Sequence, residues 1–219
     1  MYEPSIEPAS IGPILHDLNL PRLYAYHRAL VDATHASPGM ITSLELASLL
    51  GQTITSTQIR KDFSLLGALG RRGQGYDVQA LVRRLAMVLG LDRQWRIGIV
   101  GFGYLGHALA TFLSVREERY SICAIYDIAS DVVGQVWNGV TVRHIDELET
   151  TLAPAGCTIG VVAVPTAVAQ ESAERLVRGG IEAIFNFAPT SLRVAGSVAV
   201  RNIDLAGEMS ILTHYLGGK

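Results

Sequence analysis

The run RIGIVGFGYLG, Arg96 to Gly106, places a short apolar strand directly before a G-x-G-x-x-G turn. Gly101 permits a tight turn, Gly103 lets the backbone approach a pyrophosphate, and Gly106 lets the next helix sit close to the strand. Phe102, Tyr104 and Leu105 complete the loop, and His107 to Val115 continues as helix. That helix start offers free N–H groups and a partial positive charge to phosphates. Ser121 to Asp127 reads as a second strand, with Asp127 lying 21 residues past Gly106. A carboxylate there accepts the two hydroxyls of an adenosine ribose. It repels a 2′-phosphate, and no arginine follows in 128–130, which favours NAD(H) over NADP(H). The bland alternative is three glycines in an ordinary strand–helix turn.

Toward the C-terminus the same alternation continues. Val140 to Arg143 reads as an edge strand, Ile145 to Leu152 as helix, Thr158 to Val164 as a buried strand and Thr166 to Arg178 as helix. Ile181 to Phe187 and Val198 to Asn202 are further strands, and Gly207 to Leu216 a tail helix. Strands alternating with helices of this length imply an α/β domain with a doubly wound parallel sheet. Val164 and Pro165 end one strand, Asn186 and Phe187 another, at the carboxyl edge where ligand crevices form. Asn186 fits a satisfied turn residue equally well.

Toward the N-terminus the period is helical. Leu23, Tyr26, Ala29, Leu30 and Ala33 recur at the spacing of one buried face, after Pro21. Thr42 with Glu45, and Thr55 with Gln58, read as capping boxes opening two short helices, Ser43 to Leu50 and the one stopped by Gly67. Two short helices joined by a brief turn fit a helix-turn-helix. Gly70-Arg-Arg-Gly-Gln-Gly-Tyr76 then reads as the tip of a hairpin, the arrangement called a wing, and Asp77 caps a helix from Val78 to Leu89. The boundary between the two domains falls near residue 94.

The chain has 219 residues, 49% hydrophobic and 17% charged, outside the disordered range. Its net charge of −2 hides an asymmetry, because Ser56 to Arg96 holds eight basic residues against three acidic ones. Such a segment is either a phosphate-binding face or solvated helix surface. Cys123 and Cys157 make neither a disulfide framework nor a zinc site, and they point to a reducing compartment. The acidic start MYEPSIEP lacks the pattern of a signal peptide, and no stretch reads as a membrane span, so a cytoplasmic location is expected. No histidine or acid cluster has metal-ligand spacing.

A hydride-transfer enzyme needs a substrate region and an acid or base near the nicotinamide. The chain after Asn202 is too short for a substrate domain, and lysine occurs only at Lys61 and Lys219. His107, His144 and His214 read as surface or partly packed residues. A cofactor site without visible chemistry suggests a sensor. A small NAD-linked oxidoreductase, or a CoA-binding module with an appended helical domain, is the second reading.

Gln58-Ile-Arg-Lys-Asp-Phe-Ser-Leu-Leu-Gly67, Gly70 to Tyr76, Ile99 to Ala110, Asn186 to Pro189 and Asn202-Ile-Asp-Leu-Ala-Gly-Glu208 occur in this order. Together they resemble Rex, the family of bacterial redox-sensing transcriptional repressors, over roughly Pro21 to Leu216. The resemblance implies a homodimer that binds double-stranded palindromic operator DNA when NADH is low and releases it when NADH binds. It implies a winged helix over 1–94, a Rossmann NAD(H)-binding domain over 95–203, and a C-terminal helix, 204–219, exchanged between protomers. It places Ser56, Gln58, Arg60 and Lys61 in the major groove, with Asp62 holding Arg60 by pairing with it. Arg71, Arg72, Gln74 and Tyr76 fall on the wing, against the DNA backbone or minor groove. Arg28 and Asp204 match the family's switch pair. Phe112 stands where the family usually carries a tyrosine, so this position acts by packing or the sensing is altered. No catalytic residue and no metal are implied.

Overall fold

The computed structural model describes residues 19–217 except 37–38, 52, 68–69, 71–72, 117–118 and 195. The chain divides into two compact units, Met1–Arg93 and Gln94–Lys219.

The first unit runs α1 (Leu20–Ala36), β1 (Met40–Ile41), α2 (Ser43–Leu49), α3 (Ser56–Leu65), β2 (Tyr76–Asp77) and α4 (Val78–Leu89). Caps set its helix starts. Asn19 accepts the Arg22 N–H, Thr42 and Glu45 close their reciprocal box, and Asp77 accepts the Ala80 N–H. At α3 only half of the expected box forms. Thr55 accepts the Gln58 N–H, but the Gln58 amide donates onward to Asp62 at 3.0 Å. The wing also differs from a simple hairpin, because β2 pairs antiparallel with β1, Ile41 opposite Tyr76. Arg71 and Arg72 lie outside the described residues.

Ile59, Phe63 and Leu66 of α3 face inward onto Leu23, Tyr26 and Leu30 of α1, with Leu46, Leu81 and Leu85 completing the core. Asp62 shares that inward face and is only 1% exposed. It therefore does not pair with Arg60, since residues two apart on a helix do not face each other. Its two oxygens take a forked pair of bonds from the Arg22 guanidinium, at 2.6 and 2.8 Å, and the Tyr26 hydroxyl donates at 2.7 Å. Burial pushes the Asp62 carboxyl up, but the bonds from Arg22, Tyr26 and Gln58 outweigh it and hold the group below its ordinary value.

The second unit is a seven-stranded sheet ordered β5-β6-β4-β3-β7-β8-β9. Its strands are β3 (Trp95–Val100), β4 (Tyr120–Asp127), β5 (Val136–Trp137), β6 (Val140–His144), β7 (Ile159–Val162), β8 (Ala183–Asn186) and β9 (Ala199–Asn202). All neighbours are parallel except β5 and β6, and setting β5 aside leaves the doubly wound order 3-2-1-4-5-6. β5 is absent from the sequence reading; it folds back on β6 through Asn138 and Gly139, both at positive φ. Alternate residues of β3 and β7 enter two apolar layers. Ile97, Ile99 and Val161 join the cluster that includes Ala110 of α5 (Tyr104–Arg116), while Val100 and Val162 join Leu148 of α6 (Leu148–Thr151) and Leu176 of α7 (Thr166–Arg178). The region read as one helix after Ile145 is a 3₁₀ turn, Ile145–Glu147, followed by α6. α8 (Leu205–Gly217) carries Leu205, Met209, Ile211, Leu212 and Leu216 at 53–73% exposure. The two cysteines are not free thiols; Cys123 and Cys157 are joined, with their Cα atoms 6.4 Å apart.

Replacing Asp62 with Ala strands the Arg22 guanidinium and is expected to destabilise the first unit by ~3–5 kcal/mol, read by urea unfolding. The depressed folded-state carboxyl gives the sign of the pH effect. Its stabilisation is complete above the unfolded value of ~3.9 and fades as pH falls through the lower folded value. Asp62→Asn should flatten that limb of the acid-unfolding curve.

Candidate functional site

A cavity of about 370 Å³ opens at the carboxyl edge, where β3 and β7 lead their connections to opposite faces of the sheet. The three loop glycines are needed for different reasons. Gly101 has φ 89°, and a Cβ there would strike the Ala163 carbonyl oxygen and lie 2.7 Å from Val164 Cγ1. A Cβ on Gly106 would strike the Gly101 carbonyl oxygen. A Cβ on Gly103 would meet nothing within 4 Å, and Gly103 lines the cavity, so its bareness leaves room for a ligand.

Asp127 closes the other side of this loop. One carboxylate oxygen accepts the Phe102 N–H at 2.6 Å, and the other accepts the Ile128 and Ala129 N–H groups at 2.7 and 2.9 Å. Three of its roughly four acceptor positions are thus taken within the chain, leaving about one for a ligand hydroxyl rather than two. The loop is held to the end of β4 by the same residue that puts a negative charge on the cavity wall.

The remaining candidates separate. Val164 and Pro165 line the cavity, together with Ile128, Ile145 and Val168. The Phe102 ring is buried and set edgewise on Trp137 and near His107, so only its backbone serves the loop. Tyr104 is fully exposed, Leu105 is 38% exposed, and neither lines the cavity. Asn186 is a turn residue: fully buried, its amide donates to the Thr190 carbonyl at 2.7 Å and to Asn202 at 2.9 Å, and its oxygen accepts the Ala188 N–H. Phe187 packs edge-on against Phe185 with ring centres 4.5 Å apart and lies outside the lining.

Sequence reading missed Val168, Glu171, Ser172 and Arg175, one face of α7 turned to the cavity. Their i, i+3, i+4, i+7 spacing was the available signal. Arg175 bridges Glu171 and Asp146, at 3.2 and 3.0 Å, and both bonds hold its guanidinium above the ordinary value.

A second surface lies on α3. The inward run Ile59, Asp62, Phe63, Leu66 leaves Thr57, Arg60, Lys61 and Ser64 exposed on the opposite face. Arg60 donates to Thr57 Oγ1 at 3.1 Å and to Ser43 Oγ at 3.4 Å, bonds that aim a cation along this face. Ser56 and Gln58 are half-buried, and Gln58 is engaged with Asp62. Gln74 is exposed, whereas Tyr76 is half-buried with its ring edge-on to Phe63 at 5.0 Å. Arg28 is exposed on α1, Phe112 is 56% exposed on α5, and Asp204 accepts the Gly207 N–H at 2.8 Å at the start of α8. Among the described residues no group of three His, Cys, Asp or Glu side chains is placed to hold a metal, and no helix is long and apolar enough to cross a membrane.

Comparison with known proteins matches residues 92–190 to the CoA binding domain family. The chain is 39% identical over 208 residues to the redox-sensing transcriptional repressor Rex of Streptomyces coelicolor, covering 95% of this chain and 80% of that protein. Among solved structures it is similar to RSP, a Rex-family repressor, in complex with β-NAD⁺ and operator DNA, with TM-score 0.83, 32% identity, and 99% and 94% of the two chains covered. The RSP complex with β-NADH gives TM-score 0.77 at 31% identity, over 99% of this chain and 96% of that one.

Gly106→Ala is expected to lower the melting temperature by more than ~5 °C, because its clash is with backbone. Gly103→Ala should leave it within ~2 °C of the parent. Differential scanning fluorimetry of the pair separates a packing glycine from a ligand-clearance glycine.

Proposed function

The chain belongs to the Rex family of redox-sensing transcriptional repressors, and from that footing we propose that its first unit binds operator DNA and its second senses the NADH/NAD⁺ ratio. What supports this reading most is one chain holding both a glycine-loop cavity flanked by the Asp127 carboxylate and a cation-bearing outer face on α3. Arg60 and Lys61 serve phosphates or guanine edges, with Thr57 and Ser64 beside them. The wing residues Arg71, Arg72 and Gln74 serve the backbone or minor groove.

In the second unit, the glycine loop and the N-terminus of α5 hold the pyrophosphate, and Asp127 takes a ribose hydroxyl through its open acceptor position. Val164, Ile145 and Val168 give the cavity apolar walls. When bound, the nicotinamide supplies a charge difference, neutral when reduced and cationic when oxidised. Apolar walls desolvate the neutral form at less cost, so they favour NADH. No substrate turnover is part of this reading.

The repressor acts as a homodimer in the cytoplasm. Five large apolar side chains stand exposed on the 13-residue α8, a surface that calls for cover by a second copy, with Leu205 of the partner subunit near the nicotinamide. Asp204 spends one carboxylate oxygen on the α8 cap and keeps the other for Arg28 of the partner subunit in one of two dimer states. Phe112 contributes packing alone. A ligand moves such an equilibrium only by its differential affinity, so a 100-fold preference supplies ~2.7 kcal/mol. The CoA-binding match favours a second reading, an ADP-containing ligand other than a dinucleotide in the same cavity; titration with coenzyme A is its control.

Two measurements test the proposal. Saturating palindromic operator should raise the NADH dissociation constant by the same factor by which NADH weakens operator binding. An unchanged constant sinks the coupling. Lys61→Ala should weaken operator binding and reduce the slope of log K against log salt by ~0.9, measured by fluorescence anisotropy; an unaltered slope removes Lys61 from the phosphate contacts.

A further inference from the structure

Cys123 and Cys157 are the only cysteines in the chain, and the fold brings them together by two departures from regular sheet geometry. The first is a bulge in β4. Ile97 pairs with Ile122 and Gly98 with Ala124, so Cys123 is the extra residue between them. The bulge breaks the alternation. Ile122 and Ile125 enter one apolar layer, while Cys123, Ala124 and Tyr126 turn together to the other, where Cys157 lies. The second is Gly98 on β3, which stands between the two cysteines. A Cβ there would sit 2.8 Å from Leu152 Cδ1 and 3.7 Å from Cys157 Sγ, so the bare backbone clears the path for a link from β4 to the start of β7.

The link does not itself hold this arrangement. The Arg96 guanidinium donates twice to the Ala155 carbonyl, at 3.0 and 2.7 Å, and the Thr158 N–H donates to the Arg96 carbonyl at 2.9 Å. These bonds fix the turn that carries Cys157, and Leu148, Leu152, Val162 and Leu176 form the surrounding core without sulfur. Two thiols at these positions therefore stay adjacent when reduced. Access is unequal. Cys157 is 5% exposed, whereas Cys123 is half-buried and lines a separate cavity of about 320 Å³, shared with Tyr126, Arg143 and Ala155. Arg143 stands on that wall with its guanidinium paired to Glu147 at 3.0 Å, so the wall is polar and open to an incoming small molecule.

We propose that Cys123 and Cys157 are a reversible thiol–disulfide site, a covalent redox input to the second unit separate from the nucleotide cavity. With a peroxide as oxidant, the Cys123 thiolate attacks the O–O bond, becomes a sulfenic acid and expels alkoxide or hydroxide, which takes up the proton Cys123 gave to solvent on ionising and leaves as alcohol or water. Cys157 sulfur then attacks the Cys123 sulfur, expelling hydroxide, which takes the Cys157 proton and leaves as water; the net change is two thiols oxidised and one peroxide reduced. Reduction runs through Cys123. An external thiolate attacks its sulfur, Cys157 leaves as thiolate and is protonated, and a second external thiol releases Cys123 from the mixed disulfide. Disulfides in reducing compartments are characteristically transient and redox-sensing, in keeping with a switch rather than a brace.

The test equilibrates the full chain in buffers from fully reduced to fully oxidised glutathione, quenches with acid, alkylates with iodoacetamide in denaturant and weighs the product. Two alkylated cysteines should give way to none, and return when dithiothreitol is added to the folded protein. The oxidised form should melt ~5 °C or more above the reduced one, because it closes a loop 34 residues long. Cys157→Ser should take up one glutathione at Cys123, while Cys123→Ser takes up none. Two free thiols at the most oxidising ratio would overturn the proposal. So would a bond that survives excess dithiothreitol in the folded chain, which marks a permanent brace. No readout involves nucleotide or DNA, so these outcomes stand or fall apart from the regulatory reading.

Discussion

Three backbone N–H groups converge on the Asp127 carboxylate, and the second unit's ligand cavity depends on that convergence. The bond from Phe102 ties the glycine loop to the end of β4, across the strand order that makes Asp127 and Gly101 neighbours at one edge. On the loop's other flank Gly101 runs so close to Ala163 that no side chain is tolerated. The loop is therefore pinned between β4 and β7 before any ligand arrives. A pre-formed site loses less ordering entropy on binding, which suits a sensor that must respond to small changes in cofactor. The same carboxylate both anchors the loop and puts an acidic charge on the cavity wall.

In the first unit a second carboxylate performs the matching task for α3. Asp62 draws Arg22, Tyr26 and Gln58 to the inward face, and the outward face is left with Thr57, Arg60, Lys61 and Ser64. An acid next to two cations on the sequence looks like a surface partner for them. Helix geometry sends it the other way. Because Asp62 neutralises Arg22 rather than Arg60, it does not cancel the charge offered outward, which is what a phosphate-binding face requires.

Most of the architecture was legible because it rests on short-range rules. Capping residues fixed the starts of α2, α3 and α4, and the glycine loop with Asp127 located the switch point of the sheet. The failures share a physical cause, since each turned on where a side chain found its partner in space. Asn186, equally a ligand contact or a turn residue in the sequence, proved saturated by Thr190, Ala188 and Asn202. The Arg22–Asp62 pair spans 40 residues, beyond any local pattern. Cys123 met Cys157 only because a bulge reversed its facing. By contrast β5 was readable and overlooked: Asn138-Gly139 between Val-Trp and Val-Thr-Val is a strong two-residue hairpin signal. The α7 cavity face was likewise in plain spacing, at Val168, Glu171, Ser172 and Arg175, and was overlooked.

Magnitudes constrain how a dinucleotide at one unit can govern DNA binding at the other. A 100-fold differential affinity is worth ~2.7 kcal/mol, whereas breaking a buried ion pair such as Arg22–Asp62 costs ~3–5 kcal/mol before any apolar contact is lost. The available coupling energy is thus smaller than the energy that seats α3 on α1. Ligand binding has too little energy to unseat α3, so the cationic face keeps one shape in both states. On the proposed two-state reading, the change is left to weaker contacts. Exposed groups such as Arg28, and the Asp204 carboxylate that caps α8, are of that kind, since surface ion pairs are worth ~0–1 kcal/mol each. A switch assembled from several such pairs is tunable over the range a cofactor can supply, and a switch routed through Asp62 would be locked in one state.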